Sequence, residues 1–337
     1  MPRPMSLRPA VITGVGSYVP DEVLTNEDLE KIVETSDEWI VSHTGIKERR
    51  IASDEQASSD LGKEAALAAL DDAGLTPNDV QLIICPTVTP DHLFPVTGNM
   101  IQAALGAENT AAFDLLSGCT GFVYGLWTAR QFVATGELDC VLVVAAEKLT
   151  SITNWTDRST CVLFGDGAGA AVVQPGEGDP SETGLLSFVL ESYGEHGYLL
   201  DIPAGGSRRP LDEEALANHE HCLRMNGPEL YKIAVRGVPD VAEKAIEGAG
   251  LTNHDIDWVV MHQANMRIID AAARRLDIPN DHMVVNIEKF GNTSGASIAI
   301  ALDEAYRDGR IQPGDNVLLV GFGAGFSLGA GVLRWGN

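Results

Sequence analysis

Short apolar runs alternate with stretches of helical period along the first half of this chain, and that alternation predicts its elements. Residues 10–15 read as a strand. Asn26 is placed to cap an acidic helix over residues 27–34. Residues 35–40, Thr35-Ser36-Asp37-Glu38-Trp39-Ile40, read as a polar turn carrying one large aromatic. An alanine-rich helix over 61–72 stops at Gly74, a residue that accepts the left-handed turn after a helix. A buried strand over 80–85 follows, then a helix over 99–105, a strand over 111–114, a helix over 120–134 and a strand over 141–145. Strands that alternate with helices predict an α/β fold with a mostly parallel sheet.

The second half repeats the first. Ala73-Gly74-Leu75-Thr76 returns as Ala249-Gly250-Leu251-Thr252, an offset of 250 − 74 = 176, and Val141-Leu142-Val143-Val144 returns at the same offset as Val317-Leu318-Leu319-Val320. Between them Gly118-Cys119-Thr120 aligns with Gly291-Asn292-Thr293 at 292 − 119 = 173. Matches in order at nearly one offset imply a duplicated unit. The boundary is set between residues 1–175 and residues 176–337, with 176–226 an irregular, Gly- and Pro-rich insertion expected over a cleft or a subunit interface. If the halves pack about a pseudo-twofold, Cys119 and Asn292 meet at the centre.

Composition narrows the function. The chain has 337 residues and a formal charge of −25, which disfavours nucleic acid as a partner. No apolar run reaches the ~18 residues of a membrane span, and no signal-peptide core follows Met1, so a soluble, cytoplasmic protein is expected. Five cysteines without a Cys-x-x-Cys pair suggest neither a disulfide framework nor a metal site.

Three residues carry candidate chemistry. Cys119 sits in the turn of residues 113–122, between a strand and a long apolar helix. Unpaired N–H groups and the dipole at a helix start stabilise an anion, so a reactive thiolate is expected there; the alternative is a buried structural thiol. His262 ends the apolar run 258–261, at the carboxyl edge where α/β sheets hold ligands. A structural histidine is the other reading. Asn292 precedes Thr293-Ser294-Gly295 and reads equally well as a helix cap. Gly321-Phe322-Gly323-Ala324-Gly325-Phe326 could present backbone N–H groups to an oxyanion, or serve packing alone.

Taken in order, Thr35–Ile40, the Gly118-Cys119-Thr120-Gly121-Phe122 elbow, Phe164-Gly165-Asp166-Gly167-Ala168, His262-Gln263-Ala264-Asn265, Gly291-Asn292-Thr293-Ser294 and the terminal glycine strand resemble the β-ketoacyl-[acyl-carrier-protein] synthase III family. The resemblance runs from about residue 9 to the end of the chain. It implies a thiolase-like fold, two pseudo-twofold-related halves in a five-layered αβαβα architecture. It implies a Cys119-His262-Asn292 triad that takes an acyl group from acyl-CoA and condenses it with malonyl-acyl carrier protein, releasing CoA and CO2. Backbone N–H groups of Cys119 and Ala324 would hold the oxyanion. Phe164 and Phe322 would line the pocket, and Phe94 would be lent by a dimer mate. Trp39, Arg158 and Asn265 would contact CoA; Lys232, Arg267, Arg274 and Arg275 would dock the carrier protein. CoA enters as substrate, and no cofactor or metal is implied.

Some positions depart from the family pattern. His43 stands where an arginine is usual, Pro228 replaces a polar residue and Ala324 a glycine, and Thr120 stands where a small Ala or Ser is commoner, a change that could tighten the acyl pocket. A condensing or acyl-transfer enzyme of secondary metabolism, such as polyketide priming, is the alternative within the same fold. A dinucleotide-binding oxidoreductase is excluded, because Gly14-Val15-Gly16 is followed by Ser17-Tyr18-Val19 and so lacks the third glycine of the fingerprint.

Overall fold

Successive strand residues point to opposite faces, and in residues 141–144 both faces are dry: Val141 and Val143 join one apolar cluster, Leu142 and Val144 another. Such a strand needs a layer of helices on each side. A computed structural model of the chain describes residues 7–336 and contains those layers. The first five-stranded sheet holds β1 (Ala10–Tyr18), β2 (Leu82–Pro86), β3 (Ala111–Leu115), β4 (Val141–Glu147) and β5 (Gly167–Pro175). The second holds β6 (Gly184–Ser192), β7 (Trp258–Met261), β8 (Met283–Val284), β9 (Asn316–Gly323) and β10 (Ser327–Arg334). Their orders, β1-β5-β4-β2-β3 and β6-β10-β9-β7-β8, are one order used twice.

The principal helices are α1 (Asp37–Thr44), α2 (Ser58–Asp72), α3 (Thr97–Leu105), α4 (Gly121–Ala134), α5 (Gly227–Gly248), α6 (Met266–Leu276) and α7 (Ala296–Arg307). Phe122 and Leu126 of α4 and Ile298 and Leu302 of α7 pack between the sheets, against Val143 on one side and Val260 and Leu319 on the other. Leu61 of α2 and Ile101 of α3 cover the outer face of the first sheet, while Val238 of α5 and Ile269 of α6 cover that of the second. Burying each such side chain contributes roughly 1.5–3 kcal/mol. The result is the five-layered αβαβα architecture of the thiolase-like fold.

Four local expectations change. The sheets are mixed rather than mostly parallel: β2 runs parallel to β3 and β4, but β5 runs antiparallel to both β4 and β1. No long crossover helix separates β4 from β5, so the chain turns back instead of crossing over. Thr25, not Asn26, caps the first helix, which is only Asn26–Leu29; the Asn26 amide is buried and donates to Asp37 Oδ1 and Ile46 O. The turn expected over 35–40 contains the start of α1, whose cap Ser36 accepts from the Trp39 N–H at 3.1 Å. Finally, the irregular span expected over 176–226 contains β6, an edge strand of the second sheet, which divides it into residues 176–183 and 193–226.

The duplication extends to detail. Thr76 and Thr252 each close the same capping box, with Asp79 and Asp255, just before β2 and β7. Cys119 and Asn292 accordingly precede the two central helices, α4 and α7.

Candidate active site

The Cys119 elbow is built by backbone that only small residues permit. Gly118 has φ +55°, and Gly118–Thr120 makes a single tight turn before α4. On the other side β9 passes so close that a Cβ on Gly323 would lie 2.9 Å from the Cys119 sulfur. That approach brings the amide of Ala324 to the sulfur, together with the amide of Cys119 itself. The terminal glycines thus serve close approach and donor placement at once.

Cys119 is 7% exposed at the floor of a cavity of about 240 Å³. Its Sγ donates to the Ser294 hydroxyl at 3.5 Å. Burial pushes the thiol up to about 12 and the nearby Glu147 adds to this, while Ser294 and the two amides pull it back. The resting group is therefore a thiol. The expected helix-stabilised thiolate is not the resting state, because desolvation of the sulfur outweighs the helix end.

His262 follows β7, and its N–H is anchored to Val320 O at 2.8 Å. Burial lowers its pKa to about 3, so the ring is neutral. One ring nitrogen, Nδ1, lies 2.7 Å from the Ser297 hydroxyl, and Phe322 packs edge-on to the ring at 5.1 Å. Asn292 is held from both sides by main chain: its N–H donates to Leu163 O and its O accepts from Gly165 N–H. Its Oδ1 accepts from the Ser294 N–H at 2.8 Å, which turns the Nδ2 hydrogens toward the cavity that Asn292 lines. Asn292 is thus not the cap of α7; that position is Gly295.

Sequence reasoning missed the residues that join these groups. Ser294 touches both Cys119 and Asn292, and the Ser297 hydroxyl touches His262 and lies 2.9 Å from Ser294 O. Ser294 adopts φ +48°, unusual for a residue with a side chain. Strain of this kind persists only where surrounding contacts hold it. Both serines read in sequence as ordinary helix-start residues. The cavity wall was also missed: Leu149, Ile152, Leu200, Leu223 and Met225 give it an apolar lining. Three of these lie in or beside residues 193–226, so the irregular span does cover the cleft.

The remaining candidates divide by place. Phe164, Phe322, Ala324 and Asn265 line the same cavity as Cys119, His262 and Asn292. Arg158 lies over the Trp39 ring at 4.9 Å, and His43, one turn further along α1, stacks on that ring at 4.4 Å; none of the three lines the cavity. Asn265 joins the two regions by donating to His43 O at 2.9 Å. Phe94 is 85% exposed and does not line the cavity of its own chain. Lys232 on α5 and Arg267, Arg274 and Arg275 on α6 are exposed on neighbouring helices; Lys232 pairs with Glu229 and Arg275 with Asp240. Thr120 does not tighten the cavity, because its hydroxyl turns to Ser117 O and its side chain is absent from the lining. Pro228 occupies the first turn of α5, where a missing N–H costs nothing. Among the described residues no three His, Cys, Asp or Glu side chains cluster as metal ligands, and no helix is long and apolar enough to cross a membrane.

A buried thiol facing a neutral imidazole and a carboxamide, at the seam of a duplicated αβαβα fold, belongs to the thiolase-fold condensing enzymes, and the chain is an acyltransferase of that class. Comparison with known proteins narrows this further. Residues 113–194 match the family model of 3-oxoacyl-[acyl-carrier-protein] synthase III, and residues 246–335 match the model of its C-terminal part. The β-ketoacyl-[acyl-carrier-protein] synthase III of Symbiobacterium thermophilum is 53% identical over 334 residues, 99% of this chain and 100% of that protein. The crystal structure of 3-oxoacyl-[acyl-carrier-protein] synthase III from Aquifex aeolicus superposes with TM-score 0.89 at 44% identity, covering 97% of this chain and 100% of that one. The priming β-ketosynthase of the R1128 polyketide pathway superposes at 0.91 with 35% identity, covering 99% and 98%. The chain belongs to the β-ketoacyl-[acyl-carrier-protein] synthase III family.

Proposed function

We propose that the chain starts fatty acid synthesis by two half-reactions in this cavity. In the first, Cys119 attacks the thioester of a short acyl-CoA and holds the acyl group, releasing CoA. The amides of Cys119 and Ala324 stabilise the tetrahedral oxyanion; removing one such donor costs about 3–4 kcal/mol of barrier. In the second, malonyl-acyl carrier protein enters, and His262 Nε2–H and Asn292 Nδ2–H donate to its thioester carbonyl. Loss of CO2 leaves an enolate on that oxygen, and its carbon attacks the acyl-Cys119 carbonyl to give 3-oxoacyl-carrier protein. A neutral imidazole suits this work, since it stabilises the enolate by donation without surrendering a charge. The apolar walls of Phe164 and Phe322 favour expelling a carboxylate as neutral CO2.

Trp39 and Arg158 would take the adenine of CoA, with Arg158 moving from the indole face to admit it, and Asn265 would meet the pantetheine arm. Lys232, Arg267, Arg274 and Arg275 would form a local basic surface for an acidic carrier protein, against a mean charge of −25. The exposed Phe94 would insert into the pocket of a second copy, making a homodimer. The cytoplasm is the compartment that fits these substrates.

The observation that carries this reading is the 292–297 turn, which ties Asn292, Cys119 and His262 together through Ser294 and Ser297. It is tested by His262→Ala and Asn292→Ala. Both should still acylate on Cys119 yet release CO2 from malonyl-carrier protein at least about tenfold more slowly. Unchanged CO2 release would remove both residues from the second half-reaction.

A further inference from the structure

Glu147 ends β4 and is fully buried beside the active site. Its Oε2 is well satisfied, accepting from Val88 N–H at 3.0 Å, Thr89 Oγ1 at 2.9 Å and Thr87 Oγ1 at 3.3 Å. Its Oε1 has no hydrogen-bond partner. That oxygen stands against Gly295, where an added Cβ would lie 3.4 Å away. The Ser294 hydroxyl and the Gly295 amide are near enough to favour its charged form, although neither reaches hydrogen-bond geometry in the resting structure. Ser294 therefore has Cys119 on one side and an unpartnered carboxyl oxygen on the other. A hydroxyl that accepts the S–H of Cys119 has its own hydrogen free to give.

We propose that Glu147 is a positioning residue for proton movement: through the Ser294 hydroxyl it takes the proton of Cys119 during acylation and returns it when condensation frees the sulfur. The proposal rests on Cys119 being the acylated residue. In acylation the S–H bond breaks, its proton passes to Ser294 Oγ, and the Ser294 proton passes to Glu147 Oε1. The sulfur forms a bond to the acyl carbon, the bond from that carbon to the CoA sulfur breaks, and CoA leaves as a thiolate that solvent protonates. Glu147 is then neutral while the malonyl carboxylate and the enolate occupy the site. When the enolate carbon displaces Cys119, the sulfur takes its electron pair and regains the proton from Glu147 by the same path. No charge or proton is left over.

Burial moves the Glu147 carboxyl up to about 7, near the point at which it can both accept and return a proton. The titratable groups that face it are the thiols of Cys119 and Cys85. The adjacent Lys148 turns elsewhere, its Nζ donating to Ser53 O and Gln56 O, while Asp91 and Asp114, the other carboxyls around Cys85, accept from Ser59 and from the Thr97 and Gly98 N–H groups.

Removing the Glu147 charge without a relay would make the thiol more acidic, because Glu147 raises it. A relay and a bare charge thus give opposite signs. The test is single-turnover acylation by acetyl-CoA, read by intact mass from pH 5.5 to 9, for wild type, Glu147→Gln and Ser294→Ala. Glutamine keeps an acceptor for Val88, Thr87 and Thr89, and Ser294→Ala leaves those three contacts to Glu147 Oε2 in place. The wild-type rate should rise through an ionisation near 7. Both variants should lose that inflection and acylate roughly a hundredfold more slowly at pH 8. Glu147→Gln acylating as fast as wild type or faster, or either variant keeping the inflection, would overturn the relay alone. Wild type that takes up no acetyl group would overturn the Cys119 assignment and the relay together.

Discussion

The Ser297 hydroxyl lies 2.7 Å from His262 Nδ1 and 2.9 Å from Ser294 O. A hydroxyl has one hydrogen, so only one of these can be its acceptor. If it goes to Ser294 O, the imidazole must carry its proton on Nδ1 and Nε2 becomes an acceptor. If it goes to Nδ1, Nε2 carries the proton and can donate to a thioester carbonyl. The proposed second half-reaction needs the latter, and the His262 contact is the shorter.

Ser297 therefore sets the tautomer of a ring that burial keeps neutral. Ser297→Ala should leave acylation of Cys119 near the wild-type rate while lowering CO2 release from malonyl-carrier protein by about tenfold or more. The nitrogen chemical shifts of His262 should change from the Nε2–H form toward a mixture of the two tautomers. Equal losses in both half-reactions would instead mean that Ser297 only supports the fold.

Gly323 is a steric requirement of the elbow. A methyl group there would lie 2.8 Å from Cys119 Cβ and 2.9 Å from Sγ, with the strand backbone unable to yield. Gly323→Ala should cost about 1–3 kcal/mol of stability and reduce acylation more than tenfold, because the sulfur must move away from its two amides. Gly206→Ala, where nothing lies within 4 Å, should change neither. Thermal unfolding and the acylation rate measure both effects.

Much of this arrangement is legible in the sequence, for a definite reason. Helix-to-strand turns leave recurring phrases such as Gly-Leu-Thr, and the duplication they mark equates Cys119 with Asn292 before any contact is known. What pairs antiparallel is not legible, since a buried strand such as β5 carries the same apolar residues whichever way it runs. Glu147 did leave a sign: it ends the apolar run Val141-Leu142-Val143-Val144-Ala145-Ala146, where a carboxyl has no reason to stand unless something buried uses it. Start and cap of α1 are also written, in Ser36-Asp37-Glu38, although a short polar stretch before one aromatic is equally compatible with a turn.

Acid should act on two buried groups in opposite directions. The unfolded chain binds a proton at His262 below about 6.5, whereas the native ring stays neutral to about 3. The His262 contribution is thus complete above 6.5 and lost as pH falls toward 3, on the order of 4–5 kcal/mol in all. Glu147 works the other way between its ordinary value of 4.5 and about 7, since the native state holds a proton that the unfolded chain has released. Its ionisation penalty is present above 7 and disappears as pH falls to 4.5. Urea unfolding from pH 4 to 8 should show Glu147→Gln gaining stability relative to wild type as pH rises through that window. A constant difference would mean that Glu147 titrates alike in both states.

The sulfur of Cys119 is the atom on which the whole cycle turns, and it is directly observable. Intact-mass analysis after incubation with a panel of short acyl-CoAs should show one acyl group gained by the wild type, mapped to Cys119, and none gained by Cys119→Ser. An acyl group still gained by Cys119→Ser, or mapped in the wild type to any other residue, would contradict the account.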